Sequence, residues 1–394
     1  MKRSDTQILT THTGSLPRPP DLVEALNAKE LGKSYDEAAL DMRIRRAIAE
    51  VAQRQAETGL DVINDGEHSK VSWMAYARGR LSGLEEIDSP VRFRSATRDS
   101  LAFAAAYEDM RVMLAARSSA IVAKRTVRPK AWVCTGPVAY VGEDELHADL
   151  ENLKLALQNT KAEEAFLTAI SPSNLELYYE NQYYHSAEEY LTALADAMRV
   201  EYKAIVDAGF VLQIDDPRMA THYNRTPAAS IEDCRKFMAL RVEAVNYALR
   251  GISSDWVRFH TCYSVNVAPR VFDFELKHFV DLLLKIEAGA YLFEAANPRH
   301  EHEWELWREV KLPDDKILIP GVVSHCSHLV EHAELVAQRL VRFAKVVGRE
   351  RVIAGTDCGF GTSGAGDEVH PDVAWAKLRS LVEGAEIASR KLWT

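Results

Sequence analysis

The chain has 394 residues, 47% of them hydrophobic and 27% charged, enough to bury a large core and with no low-complexity tract. Its 58 acidic against 48 basic residues give a net charge of −10, which argues against a nucleic-acid-binding surface. No apolar signal region heads it, no apolar run reaches the roughly 18 residues of a membrane span, and its five scattered cysteines read as cytosolic thiols rather than a disulfide frame.

Short apolar runs alternate with longer helical patterns. In chain order the strand candidates are 7–15 (QILTTHTGS), 60–67 (LDVINDGE), 131–137 (AWVCTGP), 165–172 (AFLTAISP) and 210–217 (FVLQIDDP). They continue with 256–262 (WVRFHTC), 290–297 (AYLFEAAN), 317–324 (ILIPGVVS) and 351–359 (RVIAGTDCG). The basic run from Arg43 lies in a helical pattern and reads as a solvated face. Between many of the strands lie amphipathic stretches such as the one ending at Gly209, a residue suited to closing a helix before a strand. Repeated strand–helix units without paired hairpins imply a parallel sheet, and about eight imply an α/β fold of the (β/α)8 TIM-barrel type. Nine candidates are one too many, so either 7–15 or 165–172 is expected outside the barrel. Residues 68–130 show helical patterns and no clear strand. They are expected to form a helical insertion after the second strand, a flap or a homo-oligomer contact, in an otherwise single domain spanning 1–394.

Polar residues gather at one end of these strands. Ser15, Glu67, Asp215, His260, Cys262, Glu294 and Cys358 all fall at or just past a C-terminal strand end, the catalytic rim of such a barrel. His260 and Cys262 stand two apart in RFHTCYSVN, and side chains at that spacing on a strand share a face. Zinc takes a four-coordinate shell of Cys, His and carboxylate. Cys326 in VVSHCSH and Cys358 in GTDCGFG are the supplementary thiols, and Glu294, in an otherwise apolar strand, is the natural carboxylate. Cys134 and Cys234 read as small buried hydrophobes. The pair His300 and His302 in RHEHEWE reads as surface. Two thiolates and a carboxylate make an electron-rich zinc, poorly suited to generating hydroxide and well suited to holding an incoming thiol as a nucleophilic thiolate.

Five motifs, in order, resemble the cobalamin-independent methionine synthase superfamily, in its catalytic barrel. TTHTGSLPRP resembles the family's N-terminal segment, LDVINDGEHSK its Asp-Gly-Glu motif and LQIDDP its Gln-Ile-Asp-Glu-Pro run; FHTCYSVN resembles the zinc pair and GTDCGFG the last zinc cysteine. The resemblance implies zinc bound by His260, Cys262, Glu294 and Cys358, with Ser15, Glu67 and Asp215 holding a thiol amino acid. It implies homocysteine as the thiol and a methyl or other alkyl donor as second substrate. Departures are Asp216 where Glu is usual, and GVVSHCSH, where Cys326 falls at the family's proton-donating histidine with His325 one residue earlier. His325 is the candidate general acid. Short relatives of the same family include epoxyalkane:coenzyme M transferases, which alkylate a different small thiol. A zinc hydrolase or lyase on the same barrel is the other alternative.

Overall fold

The computed structural model describes residues 1–90, 96–110, 130–263, 268–361 and 369–394. Ten strands are present: β1 Val62–Ile63, β2 Leu84–Pro90, β3 Lys130–Cys134, β4 Glu164–Ile170, β5 Glu180–Asn181, β6 Val211–Asp215, β7 Val257–His260, β8 Ala290–Glu294, β9 Ile317–Val323 and β10 Gly355–Thr356. Seven form one parallel sheet in the order β1-β4-β6-β7-β8-β9-β10. β6 to β9 are buried along their whole length, as expected of parallel strands covered on both faces.

The N-terminal segment touches both edges of this curled sheet. Val62 donates its N–H to the Thr10 carbonyl at 3.0 Å, and Thr11 donates to Ala354, beside β10, at 2.8 Å. The run 165–172 is in the sheet as β4, so neither of the two segments suspected of lying outside does so. The supernumerary strand is instead 131–137. As β3 it pairs antiparallel with β2 and parallel with β5 in a separate three-stranded sheet. The region 68–130 therefore contains a strand where helix alone was expected. Its described remainder holds single helical turns at Tyr76–Gly79 and Arg98–Ala102, and residues 91–95 and 111–129 lie outside the described residues.

The helices outside the sheet carry their own start and stop signals. The helix Glu37–Thr58 is capped by Asp36, whose carboxylate accepts from Ala39 N–H, and it ends at Gly59. Ser186 caps Ala187–Asp207 in the same way, with Glu188 and Glu189 in its first turn, where they complement the helix dipole. Among the described residues no helix is long and apolar enough to cross a membrane.

Register places the site. On β6 and β7, Gln213 is paired with Arg258 and Asp215 with His260. The first pair forms a buried polar plug beneath the second. Arg258 donates to Gln213 Oε1 at 2.6 Å, Thr11 Oγ1 at 3.0 Å and the His12 carbonyl at 2.7 Å, and lies over the Phe166 ring at 3.4 Å. One guanidinium thereby ties β4, β6, β7 and the N-terminal segment together. The next inward-facing level, two residues further along each strand, is the rim.

Candidate functional site

A cavity of about 190 Å³ opens at the C-terminal ends of the parallel strands. Six of the residues expected from the sequence share its wall: Ser15, Glu67, Asp215, His260, Cys262 and Cys358. Their proximity follows from strand geometry. Asp215 ends β6 and His260 ends β7 in register, and Cys262 continues the same face two residues on.

Asp215 Oδ1 lies 2.8 Å from His260 Nδ1. A proton on that nitrogen fixes the tautomer and leaves Nε2 with its lone pair. His260 Nε2 is buried and has no hydrogen-bond partner. Cys262 Sγ is 3.6 Å from Cys358 Sγ, and the ligand atoms of His260, Cys262 and Cys358 all lie within 4.8 Å of one another. An orphaned imidazole nitrogen beside two converging sulfurs fits a borderline-soft dication such as zinc. The thiols are polarised even by the protein alone. A hydrogen bond from Cys358, aided by His260, holds the Cys262 thiol down at about 5, and Cys358 is pushed up in return. Burial works to lower His260, but the Asp215 and Cys262 contacts outweigh it and raise the imidazole to about 10.

Cys358 is delivered by the turn after β10. Thr356 Oγ1 donates to the Cys358 carbonyl at 3.0 Å and accepts from Thr13 N–H at 3.1 Å. Gly359 permits the N-terminal segment to close in, since a Cβ there would collide with Ser15 Oγ. That contact joins the zinc-cysteine loop to the expected substrate loop.

Glu67 has φ +58°, the single non-glycine residue in the left-handed region among the described residues. Such a conformation costs roughly 1–3 kcal/mol and must be held by its surroundings. Arg18 holds it, donating through Nε and Nη2 to the Glu67 carbonyl at 3.1 and 2.8 Å. Glu67 Oε1 accepts from Thr168 Oγ1 at 3.0 Å, while Oε2 is buried without a hydrogen bond, 3.9 Å from Arg18. Burial raises the carboxyl pKa. A buried carboxylate with an open oxygen at a cavity wall is suited to a cationic ligand group.

Two expected residues stand elsewhere. Glu294, at the end of β8, is buried beside the cluster but is not on the cavity wall. Its Oε1 accepts from Tyr263 N–H and its Oε2 from Asn297, both at 2.7 Å. His325 is buried with Nε2 2.9 Å from Cys326 Sγ, and neither residue lines the cavity. Burial pushes the Cys326 thiol up, the opposite of what Cys262 experiences.

The expectation that His300 lies on the surface is overturned. It is 1% exposed, stacked on Tyr263 at 3.7 Å, with Nδ1 3.0 Å from Glu303 and Nε2 3.3 Å from Asp273. Burial disfavours its charge, but the two carboxylates prevail and raise its pKa to about 9. It is a charged strut behind the residue that follows Cys262. His302 has no such shell, and no metal cluster forms from the H-x-H pair among the described residues.

Sequence reasoning missed the far wall of the cavity: Trp73, Tyr178, Arg218, Thr221 and Arg225. The last three recur at three- and four-residue intervals just after LQIDDP, a helical-face signal that was present in the sequence. Asp216 is the structural reason they face inward. Its carboxylate caps the helix Pro217–Arg225 through Met219 N–H at 3.0 Å and is held by Ser171, Ser173 and Asn174.

The family model for the cobalamin-independent synthase catalytic domain matches residues 8–173 and 167–386. The chain belongs to this family. Its sequence is 25% identical over 384 residues to the methionine synthase of Saccharolobus solfataricus, covering 97% of this chain and 95% of that protein. The methionine synthase of Sulfurisphaera tokodaii is also 25% identical, over 389 residues, with 97% and 93% covered. The fold resembles that of a B12-independent methionine synthase from Shewanella sp. W3-18-1 solved with selenomethionine, with a TM-score of 0.70 at 18% identity and 98% and 99% of the chains covered. A second B12-independent methionine synthase structure, described as putative, from Listeria monocytogenes, gives a TM-score of 0.64 at 17% identity. These cobalamin-independent synthases thus match the chain over nearly its full described length.

Proposed function

We propose that this protein is a cytoplasmic, zinc-dependent thiol methyltransferase that methylates homocysteine to methionine. The observation that carries the reading is a buried, partnerless His260 Nε2 beside two convergent thiols, in the same cavity as Glu67 and Asp215. The membership of the chain in a cobalamin-independent synthase family, and its full-length likeness to methionine synthases, support the choice of substrate. We read the curled sheet as a closed (β/α)8 barrel whose eighth stave is the N-terminal segment, in one domain over 1–394.

In this reading His260, Cys262, Cys358 and Glu294 hold zinc. Each oxygen of Glu294 keeps a second lone pair, so the Tyr263 and Asn297 bonds need not break for it to serve as a ligand. Bound zinc would supply a deprotonated yet nucleophilic substrate thiolate at neutral pH. The protein does the rest. Asp215 retains the proton on His260 Nδ1 and so keeps Nε2 aimed at the thiols. Glu67 receives the ammonium group, with Ser15 and Asp215 completing the amino-acid pocket. Proton donation to the departing group is assigned to His325, which must turn away from Cys326 to reach the cavity.

Metal analysis and X-ray absorption test the metal assignment. One zinc per chain is expected, with about two sulfur neighbours near 2.3 Å and lighter neighbours near about 2.0–2.1 Å. A shell without sulfur would end the thiolate reading. Glu67→Gln tests the pocket. It should retain zinc and raise the homocysteine requirement roughly tenfold to a hundredfold, the worth of a charge-assisted contact of about 1.5–3 kcal/mol. Equal use of a thiol lacking the amino group by wild type and variant would remove Glu67 from that role.

A further inference from the structure

Six arginines are buried in the described structure, and five of them are hydrogen-bonded to the protein: Arg18, Arg80, Arg241, Arg258 and Arg339. The sixth is Arg218. Its guanidinium lies over the Tyr178 ring at 4.2 Å and has neither a carboxylate partner nor a hydrogen bond among the described residues. Arg225, half-buried on the same helix, is likewise without an acid. Burial, and then the charge of Arg218, pulls the Arg225 pKa down to about 10. Both side chains line the zinc-site cavity, with the Thr221 side chain between them.

This placement is costly. Arginine stays charged in proteins, and a buried charge without a partner is expensive. Residues 218, 221 and 225 share one face of the helix, so the two like charges are held together against their repulsion. Asp216, the cap that aims this helix, spends its carboxylate on Met219 N–H, Ser171, Ser173 and Asn174, so it is not the missing counter-ion. What balances the pair must enter the cavity. A planar oxyanion meets a guanidinium with two parallel hydrogen bonds, and a hydroxyl can donate a third.

Building on the thiol-methyltransferase reading, we propose that Arg218, Arg225 and Thr221 form an oxyanion subsite that binds the acidic end of the thiol substrate. The cavity then has a thiol pole at His260, Cys262 and Cys358 and an anion pole on the helix Pro217–Arg225. A ligand satisfying both is a short thiol ending in a carboxylate or a sulfonate. An amino-acid thiol adds the ammonium that Glu67 would hold, whereas a sulfonate thiol leaves Glu67 unused. The far wall, rather than the metal, sets which thiol is accepted.

Calorimetric titration of the zinc-loaded protein with three thiols separates these cases: homocysteine, 3-aminopropanethiol, which lacks the acid, and 2-mercaptoethanesulfonate. In wild type at least one acidic thiol should bind roughly tenfold to a hundredfold more tightly than 3-aminopropanethiol. Arg218→Gln/Arg225→Gln should erase that advantage while keeping zinc and the affinity for 3-aminopropanethiol. A preference for homocysteine identifies the carboxylate, and a preference for the sulfonate identifies the other source. Inorganic phosphate is the second probe, read by thermal stabilisation of the same two proteins. Phosphate stabilisation of wild type alone, with no thiol bound by either, would keep the anion subsite and discard the thiol reading. Acidic-thiol affinity and phosphate response both unchanged in the double variant would overturn the subsite and leave the thiol reading standing.

Discussion

Cys358→Ala should lose most of its zinc and all thiol alkylation, while Cys326→Ala should keep full zinc and a native fold with at most a reduced rate. Both thiols sit near the rim, so the contrast isolates the ligand. Cys358 Sγ converges with Cys262 Sγ at 3.6 Å and belongs to the three-residue cluster. Cys326 pairs instead with the His325 imidazole, outside the cavity wall. Removing a ligand leaves a vacant coordination position and a far weaker site, whereas removing a neighbour spares the metal. Metal analysis of the two purified variants, with circular dichroism to confirm folding, checks the prediction. Zinc lost with Cys326→Ala and retained with Cys358→Ala would reverse the ligand assignment.

Arg80→Met should destabilise the protein by about 3–5 kcal/mol, because it strands two buried carboxylates. Arg80 reaches Asp149 at 2.5 Å and Glu201 at 3.4 Å, and all three are nearly inaccessible. Glu201 also accepts from Tyr76 and Tyr140 hydroxyls at 2.9 and 2.7 Å, and the Tyr76 hydroxyl accepts from Ile170 N–H at the end of β4 at 3.0 Å. The network thus fastens the region after β1 to the helices Glu143–Leu157 and Ala187–Asp207 and to the rim. Methionine preserves much of the volume, so the loss reports the charge rather than a cavity. Urea unfolding with a common m-value measures it. A change below about 1 kcal/mol would mean that the two carboxylates find water or take up protons at little cost.

Much of the architecture was legible because its signals are local. A run such as VLQID or AYLFE declares a doubly buried strand within five residues, and the two-residue period put His260 and Cys262 on one face without further knowledge. Glu67, Asp215 and Cys358 could be named because each ends such a run or follows it by a turn. Partner choice was not local. AWVCTGP reads as a strand as clearly as any other, yet nothing within it states that it pairs with Leu84–Pro90 instead of joining the parallel sheet. The helical reading of 68–130 failed for the same reason: a strand whose partner lies some 40 residues away carries a weak signal of its own.

The site divides along the same line. Sequence alone supplied the chemistry of the metal cluster, since thiols and an imidazole at strand ends have few other uses. Only the tertiary structure showed that Glu294 spends its oxygens on Tyr263 and Asn297, and that His325 turns toward Cys326. Likewise His300 looked exposed among charged neighbours. Its burial depends on Asp273, brought in from 27 residues away, and on the ring of Tyr263. The unpaired state of Arg218 and Arg225 is the extreme case. A missing partner has no signature in a sequence, because charge balance belongs to space and is settled only when the chain has brought every carboxylate to its final neighbour.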